Sequence, residues 1–344
     1  MQIESLAVAL PSLLVRNDDV LGSIAENNGE LDKEELHSIL RTVKAGLNFS
    51  GAKERYWLSE DETSKEMALN ACRKALSGVD SSEIDMVIHA SVYTELIEPS
   101  SANLFAAELG LKNAEVFDLK EACEGFMKAA KIAEAFLATG YRKILIINSE
   151  FSLVDGYAIR PALYHFNSKE ELKWRLPAYT IGEAATAVVL SADERNNWNF
   201  HNKTRNDLFD LCSVPAPWFP LGAEGRSRVG KDGPGVFTSW GAELTAAGVP
   251  LAVETFRESN INPDDVDVLF THCSSKRDWA NIAEQIGLSE KIYDIYERYG
   301  NVVSAGVPAA MALAKEEGKL RRGMRVAILV ASAGMTFSTA HFTY

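Results

Sequence analysis

Two pairs of short apolar segments recur along the chain at one fixed separation. Each segment is rich in β-branched residues, which is typical of a strand buried on both faces of a sheet. The pairs are IDMVIHAS at 84–91 with VDVLFTHCS at 266–274, and KILIIN at 143–148 with RVAILV at 325–330. In both pairs the offset is 182 residues, as the numbers of Ile84 and Val266 show. Two strands that share one offset predict an internal duplication.

The order of strand and helix patterns within each copy predicts the fold class. Between the first two strands, residues 122–139 place apolar side chains at helical spacing and end before Gly140. Strand, helix and strand in this order favour an α/β layered fold. We therefore predict two α/β halves of similar build, an N-terminal half over 1–195 and a C-terminal half over 196–344. The ends of matching strands should meet at the centre, where we expect the chemistry.

Composition narrows the classes of protein to consider. The 344 residues include 35 Lys and Arg against 48 Asp and Glu, a formal charge of −13, so the chain lacks the overall positive charge of a nucleic-acid binder. No apolar stretch is long enough to span a bilayer, and the first residues lack the positive charge of a signal peptide. The four cysteines form no CxxC pair. We expect a reduced, cytoplasmic protein with no membrane insertion.

Common cofactor and metal motifs are missing from the sequence. It has no GxGxxG or GxxxxGKS/T pattern for a nucleotide and no GxSxG elbow of a serine hydrolase. The six histidines show neither HExxH nor metal-type spacing with cysteine. We therefore expect no resident cofactor and no metal.

Cys123 is the strongest candidate nucleophile. It stands where an apolar strand turns into the predicted helix 122–139, and a helix N-terminus stabilises a thiolate, so we expect a depressed pKa. His272 ends the repeated strand 266–271, and Asn301 lies in the turn that the duplication matches to the one before Cys123. Taken singly, such residues are more often structural. Their joint position favours a nucleophile that handles thioesters.

The sequence around these three positions resembles a known family. EACEGF around Cys123, FTHCSS around His272, YGN followed by SAGVP around Asn301, and the closing VASAGMTFS are similar to β-ketoacyl-[acyl carrier protein] synthase III and its relatives in the thiolase superfamily. The early GAKERYW and the run EPSSANLFAAELGLKNAEVFDL extend the resemblance over nearly the whole chain. The resemblance implies an α/β, five-layered αβαβα thiolase fold and a homodimer.

The resemblance also implies a two-step reaction. Cys123 would take an acyl group from a thioester, and a second substrate would then attack the acyl-enzyme. His272 and Asn301 would hydrogen-bond the thioester carbonyl of that second substrate and stabilise its enolate. The backbone N–H groups of Cys123 and Gly334 would form the other oxyanion hole, where glycine lets the backbone come close.

The sequence departs from the synthase III pattern in three places. The entrance segment that carries Trp and Arg for coenzyme A in the family reads AGLNFSG here, which favours a thioester on an acyl carrier protein over one on coenzyme A. The family's His-Gln-Ala-Asn is replaced by His272-Cys273-Ser274-Ser275. The segment 155–180 is longer than usual, which predicts an altered acyl tunnel or lid.

A carrier protein has an acidic surface, and this acidic chain needs a local positive patch to receive it. Lys276 and Arg277, just after His272, are the best candidates, with Arg226 and Arg228 behind them. The equally weighted alternative is a solvated, charged helix start.

Glu98, in the run TELIEPSSANLF, stands where synthase III enzymes place a Phe that lines the partner's acyl pocket. Relatives that join two acyl chains without a malonyl decarboxylation, such as the olefin-pathway thiolase and the α-pyrone-forming synthases, are similar in having a Glu in this Glu-Pro-Ser setting. There it acts across the dimer as the base that removes an α-proton. The resemblance implies the same role for Glu98. The alternative is an exposed loop residue with Glu95 as its equal.

Three functions remain open at this point. The leading one is a condensing enzyme of fatty acid, polyketide or secondary metabolism that forms a carbon–carbon bond by a Claisen-type reaction with a malonyl- or β-ketoacyl-type thioester. The second is an acyltransferase that passes the acyl group on Cys123 to an oxygen or nitrogen, with His272 as the base. The third is a non-catalytic dimer partner, and an intact Cys, His and Asn set argues against it.

Overall fold

The computed structural model describes residues 1–193, 196, 198–221 and 228–344. Its strands are β1 (Gln2–Ala9), β2 (Leu13–Arg16), β3 (Glu54–Trp57), β4 (Ile84–Ala90), β5 (Glu115–Leu119), β6 (Lys143–Glu150), β7 (Ala184–Ser191), β8 (Asn199–Thr204), β9 (Cys212–Ser213), β10 (Thr238–Ser239), β11 (Val268–Thr271), β12 (Ile292–Tyr293), β13 (Arg325–Ser332) and β14 (Thr336–Thr343). Its α-helices are α1 (Asn17–Glu26), α2 (Lys33–Ser50), α3 (Ser64–Leu76), α4 (Ser101–Glu108), α5 (Gly125–Leu137), α6 (Leu172–Arg175), α7 (Gly241–Glu258), α8 (Lys276–Gln285), α9 (Tyr296–Tyr299) and α10 (Gly306–Glu316).

Two five-stranded sheets share one strand order. The first sheet runs β1-β7-β6-β4-β5 and the second runs β8-β14-β13-β11-β12. In the first sheet β6, β4 and β5 are parallel. Strand β7 pairs antiparallel with β6, and β1 pairs antiparallel with β7. The second sheet repeats this pattern of directions strand for strand. Because β6 and β13 begin at Lys143 and Arg325, at the offset seen in the sequence, the predicted duplication is confirmed.

The two sheets and their helices make five layers. Helices α3 and α4 pack on the outer face of the first sheet, and α7 and α8 pack on the outer face of the second. Helices α5 and α10 lie in the large core between the sheets. The first nine residues of α10, GVPAAMALA, are all buried. A helix covered from both sides has to be apolar nearly all round, and small side chains let both sheets approach it. The predicted αβαβα layering is therefore confirmed.

Each central helix is preceded by a tight 3₁₀ turn. The predicted helix 122–139 is accordingly too long, because the turn Ala122–Glu124 comes first and the α-helix begins only at Gly125. Ala122 has a left-handed backbone, with φ 45°, which interrupts the helical path. The second half repeats the arrangement in the turn Val303–Ala305, where Val303 has φ 50°.

The long segment 155–180 is clamped to the segment 228–240. The buried guanidinium of Arg175 pairs with Asp232 and with Glu171. Trp174 Nε1 also donates to Asp232 Oδ2 at 2.8 Å. A buried charge needs such a partner, and this pair joins two irregular connections into one packed unit.

The predicted boundary between the halves falls at Arg195, which lies outside the described residues. The first sheet takes its strands from residues up to Ser191 and the second from Asn199 onward. The boundary between 195 and 196 stays a prediction. Among the helices of the described part of the chain, none combines the length and the apolar character needed to cross a membrane.

Candidate active site

Cys123 lies half-buried in the middle of the turn Ala122–Glu124, at the seam between the two halves. The end of β13 holds this turn. The backbone N–H of Glu124 donates to Ser332 Oγ at 3.2 Å, and that hydroxyl donates to the carbonyl two residues before Cys123 at 3.3 Å. The turn also packs against the matching turn Val303–Ala305. The thiol thus stands where elements of both halves meet.

Asn301 is fixed by hydrogen bonds to both its backbone and its side chain. Its N–H donates to Thr180 O at 2.8 Å, and its carbonyl accepts from Gly182 N at 3.0 Å. The side-chain Oδ1 accepts from Val303 N at 2.9 Å. Because the oxygen is used to hold the turn, the Nδ2 group is the part of the side chain that can donate to a substrate.

His272 is buried directly after β11, beside the start of α10. Its backbone N–H donates to Leu329 O at 3.2 Å. Its Nδ1 lies 3.8 Å from the place where Gly306 would carry a Cβ, and Cys273 Sγ lies only 2.6 Å from that place. Glycine at 306 therefore makes room for the segment that carries His272. The structure brings His272 to the helix that follows the Asn301 turn.

The imidazole of His272 is neutral near pH 7. Burial lowers its pKa to about 4, because a charged ring loses its hydration in this interior. A neutral imidazole carries one N–H that can donate and one nitrogen that can accept a proton.

The depressed pKa predicted for Cys123 is wrong. Burial raises the pKa of its thiol well above the ordinary value, and Cys212, Glu150 and Cys273 raise it further. The α-helix begins only at Gly125, two residues after Cys123. Neighbours that are thiols and carboxyls disfavour a further negative charge. The resting side chain is therefore a neutral thiol that needs a base when it reacts.

Gly334 lies in the turn between β13 and β14, two residues past Ser332. Its φ of 121° belongs to a region that glycine adopts readily. A Cβ there would meet Thr336 Oγ1 at 3.5 Å, an ordinary contact, so the backbone angle is what requires glycine. The two N–H groups predicted for one oxyanion hole thus lie in two turns. That of Cys123 lies in the turn Ala122–Glu124, and that of Gly334 lies in the turn after β13, the strand whose end is hydrogen-bonded to the Cys123 turn.

Glu98 faces solvent in the protomer. It lies in the connection between β4 and α4, beside Ile97, which is 83% exposed. Glu95 is not its equal, because the Glu95 carboxylate accepts a hydrogen bond from Ser64 Oγ at 2.6 Å. The predicted action of Glu98 across a dimer stays a prediction.

The four residues predicted to dock a carrier have different surroundings. Lys276 pairs with Glu297. Arg277 instead stacks on the exposed ring of Phe49, with its guanidinium carbon 3.9 Å from the ring centroid. Arg228 lies 3.8 Å from an oxygen of Asp210. Arg226 lies outside the described residues. Among the three described residues of this set, Arg277 is thus the cation most available to bind an acidic carrier surface.

Two buried carboxyl groups beside Cys123 were not singled out from the sequence. Glu124 is fully buried, and neither of its carboxyl oxygens has a hydrogen-bond partner among the described residues. Burial raises its pKa to about 8. Glu150, at the end of β6, is also fully buried, and burial raises its pKa to about 7. The signal for Glu150 in the sequence is a Glu that directly follows the uncharged stretch ILIINS, whereas Glu124 follows Lys120 and Glu121 closely and has no such signal.

Comparisons with known proteins agree with this geometry. The family model 3-oxoacyl-[acyl-carrier-protein (ACP)] synthase III matches residues 117–155, and the model of the C terminal of that family matches 256–344. The β-ketoacyl-[acyl-carrier-protein] synthase III of Neisseria meningitidis is 26% identical over 343 residues, which cover 97% of this chain and 96% of the relative. The enzyme of that name from Xanthomonas campestris is 28% identical over 308 residues, which cover 86% and 88%.

Solved structures show the same fold. A variant of Xanthomonas campestris OleA superposes with a TM-score of 0.82 at 20% identity and covers 99% of this chain and 97% of its own. The 3-oxoacyl-[acyl-carrier-protein] synthase III of Aquifex aeolicus superposes with a TM-score of 0.77 at 23% identity and covers 100% and 99%. The chain has the fold of the thiolase superfamily. In sequence, parts of the chain match the synthase III family models, and the chain as a whole is similar to synthase III enzymes.

The buried acid next to Cys123 predicts a specific dependence of stability on pH. The folded state keeps the proton on Glu124 up to about pH 8, whereas the unfolded chain releases it near its ordinary pKa of 4.5. The unfolded state therefore binds fewer protons between these values, and the free energy of unfolding falls as pH rises, by about 1.4 kcal/mol per pH unit from this group. Glu124→Gln removes the titrating group, so the variant should gain stability relative to the wild type between pH 5 and 8.

The measurement is urea unfolding of both proteins across that range. Other buried acids titrate alike in the two proteins and cancel in the difference. Glu60→Gln, at an exposed carboxyl, is the control and should give a difference that does not change with pH. A flat difference for Glu124→Gln as well would contradict the buried, protonated state.

Proposed function

We propose that this protein is a condensing enzyme that forms a carbon–carbon bond between two acyl thioesters. The observation that carries the proposal is the placing of Cys123, His272 and Asn301 on adjoining elements at the central seam. In the first half-reaction the sulfur of Cys123 attacks the thioester carbonyl and the thiol of the donor leaves. The N–H groups of Cys123 and Gly334 donate hydrogen bonds to the carbonyl oxygen and stabilise the negative charge that develops on it. Because the resting side chain is a thiol, its proton has to pass to a base, and the neutral imidazole of His272 has a nitrogen that can accept it.

The second half-reaction uses the donors that the C-terminal half supplies. Asn301 Nδ2 and the N–H of the neutral imidazole of His272 would both bond the thioester carbonyl of the second substrate. These donors stabilise the enolate oxygen when the substrate loses an α-proton or carbon dioxide. The enolate carbon then attacks the acyl group on Cys123, and the cysteine sulfur leaves as the new bond forms. The second substrate is of the malonyl or β-ketoacyl type, and the chemistry needs no metal or resident cofactor.

The alternative is an acyltransferase that moves the acyl group from Cys123 to an oxygen or nitrogen. In that reaction His272 would take the proton of the attacking group. The side-chain Nδ2 of Asn301 would then have no enolate to stabilise. The fixed orientation of that amide favours the condensing reaction.

The relatives' names support a carrier-borne substrate, since they are synthases of the acyl-carrier-protein type. One solved form of the Xanthomonas OleA holds lauric acid and lauroyl-CoA, so coenzyme A thioesters remain candidates. We place the enzyme in fatty acid, polyketide or secondary metabolism in the cytoplasm.

A homodimer fits the open edge of the first sheet. Among the strands of the described residues, β5 pairs only with β4, and four of its five residues are half-buried. An open edge with partly covered side chains invites pairing with another strand. A second copy that pairs there would bring the exposed Ile97 and Glu98, which belong to the connection just before α4, into an interface.

The first prediction for this function concerns the nucleophile. Cys123→Ala should abolish acyl-enzyme formation and change stability by about 1 kcal/mol or less, because the side chain is small and half-buried. Intact-protein mass spectrometry after incubation with acyl-carrier and acyl-coenzyme A thioesters measures the adduct. Cys72→Ala is the control and should keep the adduct, since Cys72 is fully buried in α3 and cannot reach a substrate. A stable thioester adduct on Cys123→Ala would move the nucleophile to another residue, with Cys273 the next candidate.

The second concerns Glu98 as a base supplied by the partner chain. Glu98→Gln should still form the Cys123 acyl-enzyme but condense about 10²-fold more slowly, the usual contribution of a general base. Co-expression with Cys123→Ala should restore about one quarter of the wild-type rate, because half of the dimers are mixed and each has one complete site. Product formation by chromatography is the measurement. Unimpaired condensation by Glu98→Gln alone would return the enzyme to the decarboxylating or acyltransferring class.

The third concerns carrier docking at Arg277 and Lys276. Arg277→Glu should raise KM for a carrier-borne substrate and weaken its dependence on salt, since a cation that meets an acidic surface is lost. Lys276→Glu should have a smaller effect, because Glu297 already offsets that charge. Arg321→Glu, an exposed site elsewhere, is the control for net charge. Equal KM values for Arg277→Glu and Arg321→Glu would remove the docking proposal.

A further inference from the structure

In each half of the molecule, the last residue of one strand makes a hydrogen bond to the turn that precedes the central helix of the other half. Ser332 ends β13 of the C-terminal half and holds the Cys123 turn of the N-terminal half. Glu150 ends β6 of the N-terminal half, and its carboxyl accepts a hydrogen bond from Ser304, in the turn after Asn301. Glu150 and Ser332 stand at the duplication offset. The two contacts are therefore counterparts made with different chemistry.

Glu150 makes one contact that has no counterpart at Ser332. Its two carboxyl oxygens accept from the backbone N–H of Val92 at 3.1 and 3.3 Å. Val92 is the second residue of the connection that leads from β4 through Glu98 to α4. A single buried carboxyl thus joins the base of the Glu98 connection to the Asn301 turn.

The surroundings of the Ser304 hydroxyl give this link a defined geometry. Asn148 Nδ2 donates to Ser304 Oγ at 3.1 Å, and Ala90 O lies 2.9 Å from the same hydroxyl. A Cβ on Gly125, the first residue of α5, would lie 3.1 Å from the Ser304 Cβ. The hydroxyl is therefore packed against the helix that follows the Cys123 turn. A turn enclosed in this way cannot shift without breaking several buried bonds.

We propose that Glu150 is a positioning residue that sets the Asn301 turn and the Glu98 connection in register for the second half-reaction, while Ser332 supplies hydrogen bonds that hold the Cys123 turn. The proposal rests on the proposed condensing function for its kinetic consequence. Its structural consequence does not depend on that function. Glu150 is buried and makes no contact with a substrate, so it acts through the groups that it holds.

The two half-reactions should therefore separate in the variants. In Glu150→Gln one accepting oxygen becomes an NH₂ group, which cannot accept a hydrogen bond from one of the two donors. Condensation should therefore fall at least about tenfold, while acylation of Cys123 should stay within about twofold of the wild type. Ser304→Ala removes only one of the bonds and should show the same split to a smaller degree. Ser332→Ala is the matched control and should show the opposite split, with slower acylation.

The pH profile supplies a readout that a merely structural role would not change. The carboxylate form accepts both donors, so the ratio of condensation to acylation should rise with pH through the ionisation of Glu150, whose pKa burial raises to about 7. The titratable groups that face Glu150 are Lys120, Cys123 and Tyr157. Burial raises the pKa of Cys123 and of Tyr157 away from pH 7, whereas burial lowers the pKa of Lys120, which is present in the wild type and in Glu150→Gln alike. In Glu150→Gln the rise of the ratio near pH 7 should be absent.

Hydrogen exchange of the full-length protein tests the link without any substrate. Glu150→Gln should speed amide exchange in 92–96 and in 301–305 about tenfold and leave 121–125 unchanged, whereas Ser332→Ala should speed exchange in 121–125 alone. Unchanged exchange in the first two segments, or an equal loss of both half-reactions, would overturn the proposal. If the wild type forms an acyl-enzyme but no carbon–carbon product with any acceptor, the condensing function fails, and the exchange pattern still decides the role of Glu150.

Discussion

The C-terminal half of this chain cannot bury its central helix alone. Helices α5 and α10 lie between the two sheets, and the first nine residues of α10 are buried between strands of both sheets. This burial is the constraint that fixes the rest of the molecule, because apolar surface of that extent drives the halves together. The turns that enter these two helices are forced to meet at the seam. The candidate site exists where it does because the helices are shared.

The seam has an unusual electrostatic character. Its thiol, its imidazole and two of its carboxyl groups are all held in or near their neutral forms by burial. A charge in such a place would cost several kcal/mol without a partner. An apolar acyl chain enters neutral surroundings more easily than charged ones. The same surroundings strengthen any hydrogen bond made to a carbonyl oxygen that gains charge during reaction.

Much of the fold was predictable because its signals are local. Buried strands appear as apolar β-branched runs, and the duplication appears as one repeated offset. Cys123, His272 and Asn301 each follow a recognisable strand or turn, so their meeting followed from the duplication. The left-handed backbone of Ala122 has no such signal, since alanine is a good helix former, and the predicted helix start was wrong for that reason.

The features that the sequence did not reveal depend on contacts distant along the chain. A Glu at a strand end is usually exposed, so nothing near Glu150 announces that Ser304 and Val92 enclose it. Lys276 is less available to a carrier because it pairs with Glu297, which is remote in sequence and adjacent in space. The raised pKa of Cys123 has the same origin, because the groups that surround the thiol come from both halves. Burial is a property of the assembled layers.

The turn Val303–Ala305 copies the Cys123 turn in shape, yet its middle residue is Ser304. That hydroxyl is 1% exposed and is engaged by Glu150 and Asn148, so no substrate reaches it. Of the two matching turns, only the Cys123 turn therefore offers an accessible nucleophile, and the Ser304 turn is part of the scaffold. On the proposed mechanism, saturation with an acyl donor would load one acyl group on each chain. The layers are thus duplicated, but the proposed nucleophile is not.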